Sequence, residues 1–402
     1  MATNKFILTY ADTLEKVKFF NRFYPAIQEI GYEIIVLTNR ISALMFNYNP
    51  TIKIVKKENV SRYPYVDILF QARELKDNSL TQEETATLFW SVYKEVLRVL
   101  DKFQVDCFFI FGGLSAPELA LRRIAKEYNI KTLFFELSNI PGKIFVDPSG
   151  TNAESSLYND ISRLDVYTYS AEEYQTWKDH YLRKKEQIKI PQQALKRRQM
   201  NTFYLIDHVG FLLFCIPSED NRPFLRKLRR KLYWRKKILS YDEFDVKKGG
   251  YIFFPMQVSN DTQLLFHSNV GNFEAIEYSI SLAQKERKAL LVKPHPAETE
   301  PAEIMKLAEF KKKYEMFIVN LPSLEILKYS DRVITINSTV GLEALIVGKK
   351  VEFLGRTFYK YLTEERLKKY IMSYLIDFDY FSDSKIPLSS VKQCIMRLET
   401  NY

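Results

Sequence analysis

The chain has 402 residues, of which 46% are hydrophobic and 14% aromatic, which excludes a disordered protein and is too long for a single ordinary core. Two domains of roughly 150–200 residues each are expected. An excess of 59 Lys and Arg over 49 Asp and Glu leaves a net charge of +10, which suits a nucleic acid, an anionic membrane or a negatively charged substrate without choosing among them.

In chain order, the N-terminus turns polar after a very short apolar run, so no signal peptide is expected. Residues Phe6–Tyr10 read as a strand, Leu14–Ile30 as an amphipathic helix ended by Gly31, and Tyr32–Thr38 as a second strand. This βαβ opening predicts a parallel sheet. The theme returns with the apolar run Val105–Phe111, a turn at Gly112 and Gly113, a helix over Ala116–Tyr128 and a strand over Lys131–Glu136. A long polar loop is expected from Asn139 to Ser156.

Residues 166–245 change character: polar and aromatic helical stretches, a basic block from Arg222 to Lys237, and no clear strand signal. The apolar stretch near Val209–Pro217 is too short for the ~20 residues of a bilayer-spanning helix. Strands at Tyr251–Phe254, Ala289–Lys293, Met316–Asn320, Arg332–Ile336 and Lys350–Phe353, with helices at Phe273–Glu286 and Ala302–Tyr314, form a second α/β series. The expected organisation is an N-terminal Rossmann-like domain (1–165), a helical basic insertion (166–245), a C-terminal Rossmann-like domain (246–375) and a helical tail (376–402). The cysteines Cys107, Cys215 and Cys394 lie far apart with no CxxC pair, which points to neither a disulfide framework nor a metal site and fits a reducing cytoplasm.

Ligands of open α/β sheets bind beyond the carboxyl ends of the strands, so chemistry is expected in the loops there. Ser338, Thr339 and Gly341 open a helix after a strand and suit either a phosphate cradle or an ordinary N-cap. Glu343, read as lying in the first turn of the same helix, either accepts ribose hydroxyls or complements the helix dipole. Lys293 and His295 stand in a turn stiffened by Pro294 and Pro296, placed to meet a phosphate. Gln257 and Asp261 offer an amide and a carboxylate to a base, ribose or sugar, or serve turn chemistry. In the N-terminal half, Glu136 at a strand end is a candidate nucleophile or base, with Asp147 as competitor, although Asp147-Pro-Ser-Gly is also a standard turn sequence. Gly112, Gly113 and Asn152 are candidates for the acceptor or sugar side, with helix initiation as the default for the glycines.

The basic block carries Leu225, Leu228 and Leu232 at helical spacing, which fits an interfacial membrane helix or a solvated helix packed on its own domain; with no recognisable nucleic-acid module, nucleic acid is disfavoured.

Taken in order, Phe135–Gly142, Asp147–Ala153, Pro255–Gln263, Lys293–Pro296 and Ser338–Ala344 resemble the bacterial capsule polysaccharide biosynthesis family, which includes β-Kdo transferases (Kdo, 3-deoxy-D-manno-oct-2-ulosonic acid). The resemblance implies a GT-B-like fold, two Rossmann-like domains facing a central cleft. It implies a glycosyltransferase that takes CMP-Kdo as substrate; with no DxD-type carboxylate pair at a strand end no metal or cofactor is expected, and the basic block suits a cytoplasmic enzyme peripheral on the inner membrane. Gln257, Asp261, Lys293, His295, Ser338, Thr339, Gly341 and Glu343 would then hold the nucleotide sugar, and a glycan or glycolipid acceptor would approach the N-terminal domain. Retaining members carry a Glu-Asp pair where this chain has Glu136-Leu137, so Glu136 takes the nucleophile's or base's place, or the reaction runs without a covalent intermediate. The same loops also suit a CDP-activated polyol-phosphate transferase, and a non-catalytic scaffold of a capsule assembly complex is the reading outside enzymology.

Overall fold

The structure, a computed structural model, describes residues 5–58, 66–138, 140–187, 203–214 and 239–399. The basic block 222–237 lies outside the described residues. The chain divides into two compact units.

The strands run β1 (Lys5–Ala11), β2 (Tyr32–Thr38), β3 (Thr51–Ile54), β4 (Val105–Phe111), β5 (Lys131–Leu137) and β6 (Lys143–Asp147), then β7 (Tyr251–Pro255), β8 (Ala289–Lys293), β9 (Phe317–Ile318), β10 (Arg332–Thr335) and β11 (Lys350–Phe353), and last β12 (Ile376–Asp377). The first unit holds a sheet ordered β12-β6-β5-β4-β1-β2-β3, parallel from β5 to β3. Its strands are apolar on both faces because both faces are covered. The Leu14–Glu29 and Leu388–Glu399 helices bury one face, and Gln82–Leu100 and Ala116–Glu127 the other. Both helical N-termini at Thr13 and Thr81 are side-chain capped, Thr81 reciprocally with Glu84.

Two expectations for this unit are corrected. The polar loop after β5 contains a strand: Ile144, Phe145 and Val146 are buried, and β6 pairs antiparallel with β5, Glu136 opposite Phe145. Four residues between Gly142 and Asp147 are too few for a clear period, yet they satisfy the sheet's edge. The segment 376–402 is not a separate tail; its described part folds into the first unit. β12 pairs with β6, the Phe378 ring sits 5.4 Å from that of Phe23, and Arg22 donates to the carbonyls of Asp379 (2.8 Å), Tyr380 (3.0 Å) and Ser384 (2.5 Å). Arg397 donates to the carbonyls of Val146 and Tyr374.

The second unit holds a parallel sheet ordered β11-β10-β7-β8-β9. Asn272–Glu286 and Pro301–Lys313 pack on one face, and Ser323–Tyr329 and Thr339–Ile346 on the other. Each unit is therefore a Rossmann-like α/β layer, as the sequence pattern predicts. The expected insertion divides between them: the Ala171–Gln187 helix belongs to the second unit, buried by Tyr174 and Tyr181, and the Phe203–Phe214 helix to the first. Among the described residues no helix is long and apolar enough to cross a membrane.

Candidate functional site

In the second sheet the chain moves from β7 out to β8 and β9, then returns to the other side of β7 for β10 and β11. The carboxyl ends of β7 and β10 therefore flank the topological switch point, where doubly wound sheets bind ligands. Gln257 follows β7 and Asn337 follows β10, and the two meet across it. Gln257 Nε2 donates to Asn337 Oδ1 (2.9 Å), and the Asn337 backbone N–H donates to Gln257 Oε1 (3.1 Å). Asn272 brackets the Gln257 backbone on both sides, accepting from its N–H (3.0 Å) and donating to its carbonyl (2.9 Å). Asn337 Nδ2 also donates to the Gln263 carbonyl (2.7 Å). Gln257 is thus a buried brace between two loops.

The brace fixes where the next helix begins. Ser338 is the N-cap of Thr339–Ile346, its Oγ accepting from the Val340 N–H (3.2 Å), and Thr339 beside it is half-buried. Gly341 serves packing: a Cβ there would drive into the Phe353 ring and lie 2.9 Å from Thr335 Cγ2, so only glycine lets this helix lie against β10 and β11. Glu343, expected in the first turn, is the fifth residue of this helix and lies past the turn where the dipole acts most strongly; its Oε1 receives Lys185 Nζ at 2.5 Å from the Ala171–Gln187 helix. A carboxylate has room for further donors beyond that one.

Beyond β8, Lys293 Nζ donates to Ser323 Oγ (2.8 Å), the first residue of the Ser323–Tyr329 helix. His295 Nδ1 accepts from the Ala297 N–H (3.1 Å), which sets the neutral ring in the tautomer that carries its proton on Nε2. His295 and Gln257 share the wall of a small cleft with Met256, Glu298 and Glu303, barely large enough for one water molecule. Glu298 ties the loops after β7 and β8 together by accepting from the Ser259 N–H (2.7 Å). Asp261 caps the Thr262–His267 helix through the Gln263 N–H (2.8 Å), and burial pushes its carboxyl above the usual range despite that bond.

The first sheet has its own switch point between β1 and β4. Gly112 (φ 100°) and Gly113 (φ 118°) make the turn there in a region L side chains avoid. Glu118 already fills the helix N-terminus that follows: its Oε2 accepts from the N–H groups of Gly113 and Ser115, each at 2.9 Å. The glycines therefore initiate a helix that carries its own carboxylate cap. Lys16 Nζ stands 3.0 Å from Asp12 Oδ1 and 3.5 Å from Glu118 Oε1. Burial, the largest single influence, would raise the Asp12 carboxyl; the Lys16 ammonium together with Arg73 and Arg40 holds the group below its ordinary value.

Glu136 is a half-buried residue within β5, one short of its end. Asp147 is fully buried and organises its own turn, accepting from Ser149 N–H (2.8 Å), Ser156 Oγ–H (2.6 Å) and Tyr374 O–H (2.8 Å), which bears out turn chemistry over a nucleophile. Asn152 is buried with φ 43°, its carbonyl accepting from Ser155 Oγ–H (2.6 Å). Among the described residues no cluster of His, Cys, Asp and Glu has the makings of a metal site.

Residues 106–366, well over half the chain, match the family described as capsule polysaccharide biosynthesis protein. The chain belongs to that family. As a family member it is 25% identical over 292 residues to the capsule polysaccharide export protein KpsS of Escherichia coli, a match covering 64% of this chain and 69% of that one. It is 24% identical over 261 residues to protein FixF of Sinorhizobium fredii (strain NBRC 101917 / NGR234), covering 62% of this chain and 48%, about half, of FixF. Two structures from Thermosulfurimonas dismutans KpsC are also similar. The beta Kdo 2,7 transferase covers 98% of both chains at 17% identity and TM-score 0.40. The beta Kdo 2,4 transferase covers 73% of this chain and 88% of its own at 16% identity and TM-score 0.42.

In this capsule-family chain, sequence reasoning missed Asn337, Lys185 and the Asp12–Lys16 pair. Asn337 lies just after β10 and Asp12 just after β1, a positional signal. Lys185 carried none, because nothing local distinguishes it from the other lysines of a polar helix.

Proposed function

We propose that this chain is a glycosyltransferase of capsule or related surface-polysaccharide biosynthesis, passing a sugar from a nucleotide-activated donor to a glycan or glycolipid acceptor. The observation that carries the reading is the Gln257–Asn337 brace, which pins a helix N-terminus at the switch point of a parallel sheet in a member of the capsule family. When a glycosyl phosphate bond breaks, negative charge gathers on the leaving phosphate. Helix N–H groups, the Ser338 and Thr339 hydroxyls, the Lys293 ammonium and the His295 Nε2–H are the donors assigned to that charge. Glu343, already oriented by Lys185, is assigned to ribose hydroxyls, and Asp261 to the edge of the same pocket.

His295 thereby becomes a donor rather than a base, since its proton sits on Nε2 when Nδ1 accepts. Glu136 remains the candidate for the acceptor side, with Gly112, Gly113 and Asn152 shaping the backbone there. CMP-Kdo is the first donor to test, in line with the family resemblance of the loops. The reaction is placed in the cytoplasm, at the membrane surface where a glycolipid acceptor would lie. Charge neutralisation is assigned to side chains and backbone amides, with no cofactor.

The test is incubation of the full chain with CMP-Kdo, UDP-sugars and CDP-glycerol, following nucleotide release and thermal stabilisation. Release of CMP from CMP-Kdo in the presence of a glycolipid acceptor is expected. Turnover of CDP-glycerol instead would replace the reading with polyol-phosphate transfer, and no stabilisation by any nucleotide would remove it.

A further inference from the structure

The Phe203–Phe214 helix of the first unit has two unlike faces. Asp207, Gly210 and Phe211 are buried. Gly210 lies so close to Ile41 that a Cβ would come within 2.7 Å of it, and Asp207 accepts from the Ser42 N–H (2.9 Å), so the helix is seated firmly on the Ile41–Met45 turn. Its opposite face, spaced at i, i+3 and i+4, is apolar and open to solvent: Val209 is 53% exposed, Leu212 64% and Leu213 70%. The turn beneath adds Leu44 at 61% and Met45 at 59%.

Five large apolar side chains exposed on one helix and on the turn it packs against need a reason, because soluble surfaces seldom gather them without a partner. The rim indicates which partner. Lys57 donates its backbone N–H to the Phe214 carbonyl (3.1 Å), Lys56 Nζ lies 5.4 Å from the Phe214 ring, and both lysines are exposed. In sequence the helix is followed within a few residues by the basic run 222–237, which contains no Asp or Glu. An apolar centre with a cationic rim complements a lipid bilayer whose headgroups are anionic, whereas a second copy of the same face would oppose like charges.

We propose that Leu44, Met45, Val209, Leu212 and Leu213 form a surface that inserts shallowly into an anionic bilayer, with Lys56 and Lys57 meeting the headgroups. This deepens the membrane-facing part of the proposed function, and it stands or falls separately from the donor site because nucleotide binding is read independently.

The experiment is co-flotation of the full chain with vesicles of phosphatidylcholine alone or mixed with phosphatidylglycerol. Wild type floats with the anionic vesicles and not with the neutral ones. The double variant Leu44→Glu/Leu213→Glu loses at least tenfold of that binding while keeping its melting temperature and its thermal shift with CMP. Lys56→Gln/Lys57→Gln weakens binding at low salt and differs little from wild type at high salt. Should the glutamate variant fail to fold, hydrogen exchange on wild type decides: slower exchange over 41–45 and 203–214 upon adding anionic vesicles is expected. Wild-type flotation by the glutamate variant, unchanged exchange, or a wild-type dimer that Leu213→Glu dissociates without any vesicle binding would each overturn the proposal.

Discussion

Gln257 and Asn337 exchange two hydrogen bonds across the switch point of the second sheet, one side chain to side chain and one from the Asn337 backbone to the Gln257 side chain. Truncating either leaves buried amide groups unpaired, at about 1–3 kcal/mol for each group stranded. Gln257→Ala and Asn337→Ala are therefore expected to lower unfolding free energy in urea by a few kcal/mol, with nucleotide affinity falling as a consequence. A Gln257→Ala protein of unchanged stability that has lost only ligand affinity would mean that Gln257 touches the ligand directly.

Gly341 packs where no side chain fits, against Phe353 and Thr335. Gly341→Ala should destabilise the protein by roughly 1–3 kcal/mol through overpacking. The double variant Gly341→Ala/Phe353→Leu, which removes the aromatic ring from the clash, should recover part of the loss in thermal denaturation.

Asp147 serves the first unit as Gln257 serves the second. Its carboxylate accepts from Ser149, Ser156 and Tyr374 in a fully buried setting. Tyr374→Phe removes one hydrogen bond to a charged acceptor and should cost about 1.5–3 kcal/mol; Asp147→Ala strands several donors and should cost more. Neither change is expected to abolish nucleotide binding, which calorimetry with CMP would check.

Two aspartates should respond to acid in opposite directions. Asp12 is held below its ordinary value by Lys16, so between its folded and unfolded pKa the unfolded chain binds more protons and stability rises with pH. That contribution is complete above the ordinary carboxylate range and is lost as pH falls through the folded value. Burial raises Asp261, so there the folded chain binds more protons and stability declines as pH climbs from the ordinary range through the raised one. Asp261→Asn keeps an N-cap and should be relatively more stable than wild type at neutral pH than in acid. Lys16→Met should erase the acid-side rise. Urea midpoints followed from below the ordinary carboxylate range up to neutral pH distinguish the two.

Much of the fold was legible because its elements carry strong local signals. The bounds of β2, β4 and β8 follow from largely apolar runs with glycine, charge or proline close by, and those of β11 from the alternation Lys350-Val-Glu-Phe353 between Gly348 and Gly355. The N-terminal Leu14–Glu29 helix is equally plain from its amphipathic spacing. What escaped were contacts made at long range. β6 has only the short apolar run Ile144–Val146, and its strand character comes from pairing with β5. Residues 376–399 join the first unit through Phe378, Arg22 and Arg397, none of which is marked locally. In the site, Lys293 and Ser338 were visible as residue types at or just beyond strand ends, and Glu343 as a carboxylate in the helix that follows. Whether an amide such as Gln257 faces a ligand or a neighbouring loop is decided by Asn337, eighty residues later, and sequence spacing does not encode that partner.

The central claim, that the loops after β7, β8 and β10 hold a nucleotide-activated sugar, is tested most directly by isothermal titration of the full chain with CMP, alongside Lys293→Ala, Ser338→Ala and Glu343→Gln. Glu343→Gln isolates the carboxylate's charge without changing its size. We predict saturable binding by wild type, weakened about tenfold or more by Lys293→Ala and by Glu343→Gln, each worth roughly one charge-assisted hydrogen bond. Ser338→Ala should weaken it less and should lower stability by about 1 kcal/mol through loss of the cap. Binding of equal strength in all four proteins, each folded, would contradict the account.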